Sequence, residues 1–329
     1  MATHDYDIAN QSGAAFRADL NNALSAIATN NSNNSNPSTT FASQFFANTS
    51  TGIMRLRNTA NSDYVNLFTL TGGPSFSVDG FINSQNIGMG ANSVSGNVCF
   101  GAAAMDAAIT GGGNTGIGAN ALSALTSGTF NSALGNSALL ALTTGGSNTM
   151  VGSSAGAAQT TASNNTAVGS SAFALNQTGT SCVAVGAFAL DANVSASNNV
   201  AIGNEALSAN NSGTPNTAVG SGALRDNTSG THNTAVGYVA GENITTGTLN
   251  TAVGSHSLDA LTTGSYNTAI GQDALGNSTT SSSNTAVGTN ALKTNTTGHS
   301  NVAVGTFCLD AADTNNNTAV GFEAMTNAT

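Results

Sequence analysis

From residue 97 onward, apolar and polar positions recur with a period of 17. Glycine stands at 101, 118, 135 and every 17 residues thereafter to Gly305, then once more, one residue early, at Gly321. Units are numbered here from their asparagine, Asn97 to Asn317, with Cys182 replacing it once. Column 4 is then always a large apolar residue, from Phe100, Ile117 and Leu134 through the valines and isoleucines of later units to Val320. Column 5 is the glycine, column 8 is nearly always Ala and column 9 mostly Leu, as in Ala206-Leu207. Columns 14 and 15 are commonly Ser-Gly or Thr-Gly. A fixed period of this length marks a solenoid, each repeat stacking on the last.

The β-branched bias of column 4 predicts a strand. Gly at column 5 permits a bend, and the Ser/Thr-Gly pair predicts a return turn. Ala-Leu reads as a second apolar segment. The fold class is therefore mainly β: a parallel β-solenoid with two short strands and two turns per rung. A three-sided helix of hexapeptides has a similar rung length but would show a period of six, which is absent. Stacked rungs bring like residues together, so the asparagine column predicts a hydrogen-bonded amide ladder. Two apolar anchors per rung make a thin core, and association of three copies about an axis would cover it. The expected shaft is a homotrimer of 14 units over 97–329.

Residues 1–96 differ in kind. Phe16, Leu20, Leu24 and Ile27 share one face of a predicted amphipathic helix over about 13–28. Short strands follow at Phe45-Phe46, Met54–Arg57 and Tyr64–Phe68, separated by turn-like stretches. Residues 1–72 thus read as a small α+β module and 73–96 as a transition that caps the first rung.

Net charge is -10, with only five Lys and Arg, and of these only Arg225 and Lys293 lie in the repeats. No basic patch exists for phosphates, so nucleic-acid binding is disfavoured. No apolar run approaches a membrane span, and Met1–Ala9 lacks the build of a signal peptide, which predicts synthesis and folding in cytoplasm. Cys99, Cys182 and Cys308 fall in three different columns and read as small buried fillers.

Catalysis finds little support. Asp191, Glu205, Asp226, Glu242, Asp259, Asp273, Asp310 and Asp313 are scattered, and paired carboxylates in a groove are not evident. His256 and Asp273 share column 7 on neighbouring rungs, but no third ligand keeps the spacing. The sequence therefore predicts no enzyme, no cofactor and no metal. Column 17 varies most usefully: Phe130, Pro215, His232, Leu249 and Tyr266 would form a line of larger side chains, either a contact surface or packing within the assembly.

Two resemblances add to this reading. The phrase Asn233-Thr-Ala-Val-Gly, with its Ala-Leu and Thr-Thr-Gly sequels, resembles the head repeats of trimeric autotransporter adhesins, which implies a left-handed β-roll. The opening Met1–Asn21, and the stretch Ala47–Leu70, resemble the N-terminal segment of tail fibres from tailed phages, marine and cyanobacterial ones especially. That resemblance implies a virion protein, made in the host cytoplasm, whose residues 1–72 attach to phage tail proteins. Its shaft would serve adsorption to a host surface glycan or protein receptor. A bacterial surface adhesin and a polysaccharide-degrading tailspike are the alternatives.

Overall fold

The computed structural model describes the chain from Gln85 to Thr326 apart from Ala312, preceded by five strands: Ser32–Asn33 (β1), Phe45–Asn48 (β2), Ile53–Arg57 (β3), Tyr64–Thr69 (β4) and Gly80–Ile82 (β5). Contacts divide the chain into Met1–Gly80 and Phe81–Thr329.

In the first unit β1 to β4 form one sheet in sequence order. β2 and β3 pair antiparallel with Phe45 opposite Leu56, and β3 and β4 with Arg57 opposite Tyr64. All three strands read from the sequence are present. The predicted helix over 13–28, with Phe16, Leu20, Leu24 and Ile27, lies outside the described residues.

The second unit is a parallel β-solenoid. Gln85–Gly88 (β6) and Val98–Gly101 (β7) lead into thirteen strands of three residues each: Thr115–Ile117 (β8), Ser132–Leu134 (β9), Thr149–Val151 (β10), Thr166–Val168 (β11), Val183–Val185 (β12), Val200–Ile202 (β13), Thr217–Val219 (β14), Thr234–Val236 (β15), Thr251–Val253 (β16), Thr268–Ile270 (β17), Thr285–Val287 (β18), Val302–Val304 (β19) and Thr318–Val320 (β20). From β7 to β20 each strand pairs in parallel with the next, seventeen residues on, until the last step of sixteen from Val302 to Thr318. β6 runs antiparallel on β7 and covers its outer edge. Gly90 lies against Met105 there, and Met105 and Ile109 are fully buried.

Successive strand residues face opposite ways. Column 3, mostly Ala, points into the roll and is buried; column 4 points out. The rest of the core comes from columns 8, 9 and 12, such as Ala121, Leu122 and Leu125.

The second strand expected in each rung is absent. Columns 6 to 11 form turns instead, because residues 7 and 9 adopt left-handed backbone, as at Asn120 (φ 58) and Leu122 (φ 54). A pleated strand would turn column 8 and column 9 to opposite faces. Alternating the sign of φ brings both Ala121 and Leu122 inward.

Column 5 does more than bend the chain. Its φ lies between 132 and 146 in every rung, a region close to glycine-only. A Cβ on Gly220 would sit within the van der Waals shell of the Gly237 carbonyl on the next rung. The glycines are therefore also where successive backbones stack in contact.

Two amide ladders fill the interior. In column 1 each asparagine Oδ1 accepts the backbone N–H of its successor, as Asn250 N–H does to Asn233 (3.0 Å), and each Nδ2 donates to the column-15 carbonyl of its own rung, as Asn216 does to Gly230 (2.8 Å). A second run occupies column 12 from Asn176 through Asn193 and Asn210 to Asn227, each donating to the Oδ1 before it. That run ends at Ile244, and the Asn227 Oδ1 is left buried without a partner.

The turn at columns 13 to 15 aims consecutive N–H groups at one oxygen. Thr228, Ser229 and Gly230 all donate to the Thr245 carbonyl of the next rung. Where the rung shortens to sixteen residues, Asp313 substitutes: its carboxylate accepts from the N–H groups of Thr296 (3.1 Å), Thr297 (2.8 Å) and Gly298 (3.0 Å). These bonds, with those from the threonine hydroxyls, hold its pKa down to about 2.

Candidate interaction surface

The shaft is two-faced. Every acidic residue from 97 onward lies in columns 7, 10 or 11, except Asp313 in column 13. Arg225 and Lys293 lie in column 10 and pair with acids there: Arg225 with Asp226 (2.9 Å) and Glu242, Lys293 with Asp273 (3.3 Å). Columns 17 and 1 to 6 carry no Asp, Glu, Lys or Arg in any rung.

That uncharged side is the outer face of the parallel sheet. Column 4 forms an unbroken apolar line along it: Phe100, Leu134, Val168, Ile202, Val236, Ile270, Val304 and Val320 are exposed, and the intervening Ile117, Val151, Val185, Val219, Val253 and Val287 are half-buried. Column 2 runs parallel to it, mostly Thr with four Val. Fourteen rungs at about 4.8 Å make a face roughly 65 Å long, and three strand residues make it about 10 Å wide, so the strands cover roughly 650 Å². Stable protein interfaces bury about 600–1,000 Å² per partner.

Column 17 borders this face. Phe130 is 69% exposed, Tyr266 62% and Leu249 45%, and His232 and Pro215 are exposed too. The structure thus brings Pro215, His232, Leu249 and Tyr266 together as a row on four consecutive rungs, with Phe130 apart, five rungs before Pro215.

The remaining candidates do not converge. Asp273 pairs with Lys293, whereas the His256 Nδ1 shares a hydrogen bond with the Ser255 hydroxyl (2.8 Å), and the His256 ring meets the Tyr238 ring edge-on at 5.5 Å. Tyr238, exposed in column 6, is a surface aromatic that the sequence reading passed over because its column is otherwise mostly small and polar. Among the described residues no three metal-ligating side chains gather. The carboxyls of Asp191 and Asp259 are raised mainly by burial. The three cysteines are buried and form no disulfide, as fillers would be, and burial pushes the Cys182 thiol up to about 11.

Comparison with protein-family models, curated proteins and solved structures finds no match.

Proposed function

We propose that this chain is a structural fibre protein of a tailed phage, a homotrimer whose left-handed β-roll shaft stands on a tail-attachment module in residues 1–72 and extends for host adsorption. One observation carries the assembly: a regular sheet face roughly 65 Å long, apolar at column 4 and free of charge from end to end. A soluble rod has reason to segregate charge this way when the uncharged side is covered, and three copies about an axis parallel to the roll cover all three faces at once. The virion setting rests on the resemblance of Met1–Asn21 and Ala47–Leu70 to tail-fibre openings. The work is then mechanical and adhesive: the stacked ladders set a rigid reach, and several fibres per particle gain avidity on a repetitive surface.

Light scattering of the full chain tests the assembly. The expected mass is three times 32.2 kDa. Val219→Lys and Val236→Lys, each placing a charge on the apolar line, are expected to yield monomers. A wild-type monomer would sink the trimer and, with it, the fibre.

A further inference from the structure

We propose that the shaft itself carries a lateral binding site for a neutral polysaccharide, formed by the column-17 row of Pro215, His232, Leu249 and Tyr266. The proposal adds a ligand class and a place to the fibre reading, on which it rests for its biological setting.

The first observation is backbone conformation. His232 (φ 59), Leu249 (φ 58) and Tyr266 (φ 62) are all left-handed. Bulky side chains disfavour that region, whereas Asn tolerates it. Asn164 and Asn198 hold the same column two and more rungs earlier, with the same φ. The larger residues are therefore not what the turn asks for. Nor does burial recover the cost, since all three side chains stay exposed.

The second is the order of the row. The backbone N–H groups of Leu249 and Tyr266 donate to Thr231 and Thr248 one rung back, both at 3.0 Å, and that of His232 donates to Pro215 (2.7 Å). The ladder thus fixes four ring-bearing or apolar side chains in a line roughly 14 Å long. A line of evenly spaced apolar rests suits a ligand that is itself a linear repeat of rings with apolar faces.

The third is charge. The row borders the uncharged sheet face: columns 17 and 1 to 6 carry no Asp, Glu, Lys or Arg in any rung. An anionic polymer finds no cation here, nor a cationic one an acid, and the match is to an uncharged ligand. Proline, imidazole and phenol stacking on sugar faces, with flanking hydroxyls, would supply the contacts.

The test is affinity electrophoresis of the full chain in gels containing dextran, laminarin or galactomannan, with alginate as an anionic control. The triple variant H232N/L249N/Y266N is run beside it. Wild type is expected to be retarded by at least one neutral polymer and not by alginate. The variant is expected to migrate as in an empty gel, while keeping its mass and an equal or higher Tm. Retardation by no neutral polymer, or by alginate alone, overturns the proposal. So does an equally retarded variant. A variant that loses mass or Tm also overturns it, by showing that the row packs the assembly. A trimer without retardation defeats this site and leaves the fibre; a monomer defeats the fibre.

Discussion

Cys182 interrupts the column-1 ladder, and what surrounds it predicts a coupling between two substitutions. Where column 12 is also asparagine and column 1 keeps its own, the column-15 carbonyl receives two side-chain amide donors. Gly213 O accepts from Asn199 (3.0 Å) and from Asn210 (3.1 Å). At the cysteine rung, Ala196 O accepts one amide, from Asn193 (3.0 Å), and only a weak thiol contact from Cys182 at 3.5 Å. Asn193→Leu therefore strips Ala196 O of its amide donor, whereas Asn210→Leu leaves Gly213 O bonded to Asn199. The ladder losses of the two variants differ, because the Asn176 Oδ1 keeps the Gly179 N–H (2.9 Å) after Asn193→Leu, whereas the Asn193 Oδ1 loses its Asn210 donor after Asn210→Leu. The losses of Asn193→Leu along the ladder are, however, the same with Cys or Asn at 182, so comparing the two backgrounds isolates one buried carbonyl left without an amide, which costs about 1–3 kcal/mol.

Urea unfolding followed by circular dichroism reads the difference as a shift in midpoint at constant slope. Asn193→Leu is expected to cost about 2 kcal/mol more in the wild-type background than in Cys182→Asn, where the missing donor is restored, a coupling that a double-mutant cycle isolates. Asn210→Leu, whose column-15 carbonyl keeps Asn199, should cost the same in both backgrounds. A cost of Asn193→Leu that Cys182→Asn leaves unchanged would refute the compensation.

Three further outcomes follow from the same geometry. Gly220→Ala combines a glycine-only φ of 136 with a clash on the Gly237 carbonyl and should cost about 4 kcal/mol or more, read as loss of folded shaft by circular dichroism. Cys182 ionises near 9.0 when unfolded and near 11 in the fold, so its contribution is whole below pH 9 and is lost as pH rises through 11; wild type should lose up to about 3 kcal/mol more than Cys182→Ala between pH 8 and 11.5. Asp313 is depressed from 3.8 to about 2, so its contribution is present above pH 4 and fades as pH falls through 2; because the group is solvent-exposed, Asp313→Asn should cost about 1 kcal/mol or less at pH 7 and nothing at pH 2, by thermal melts.

The parts of this fold that were legible in the sequence are those where one residue type serves one purpose in every rung. Asn in column 1 announces its ladder because only an amide both accepts from the rung above and donates across the turn. Glycine in column 5 announces its register because a side chain would meet the next backbone. Ala-Leu misled because apolar neighbours read equally as a strand or as a turn, and the deciding variable, the sign of φ at columns 7 and 9, is not written in residue type: Leu122 is left-handed and leucine does not favour it. Asp313 was read as one scattered carboxylate, although the missing residue in its rung was visible beforehand as the early Gly321. A shortened rung must replace the displaced carbonyl that its neighbour's N–H groups require, and an acidic residue near such a deletion is where to look for the replacement.

The two faces illustrate the same division. That column 4 is apolar was plain, but an apolar column in a solenoid can fill the core or line the surface. Only pairing and burial show that the small residue of column 3 faces in and the large residue of column 4 faces out. Placing Ala inside keeps the roll thin enough for Leu122 and its equivalents to span it, and leaves the larger side chains on the outer face. Charge then sorts itself accordingly: no Asp, Glu, Lys or Arg stands in the strand columns or beside them, from column 17 through column 6. Under the proposed trimer the uncharged face is a consequence of assembly rather than of folding, since a lone roll would be as stable, and more soluble, with lysines at column 4. Val219→Lys separates the two, because it should abolish the proposed trimer while leaving the rung's ladders intact.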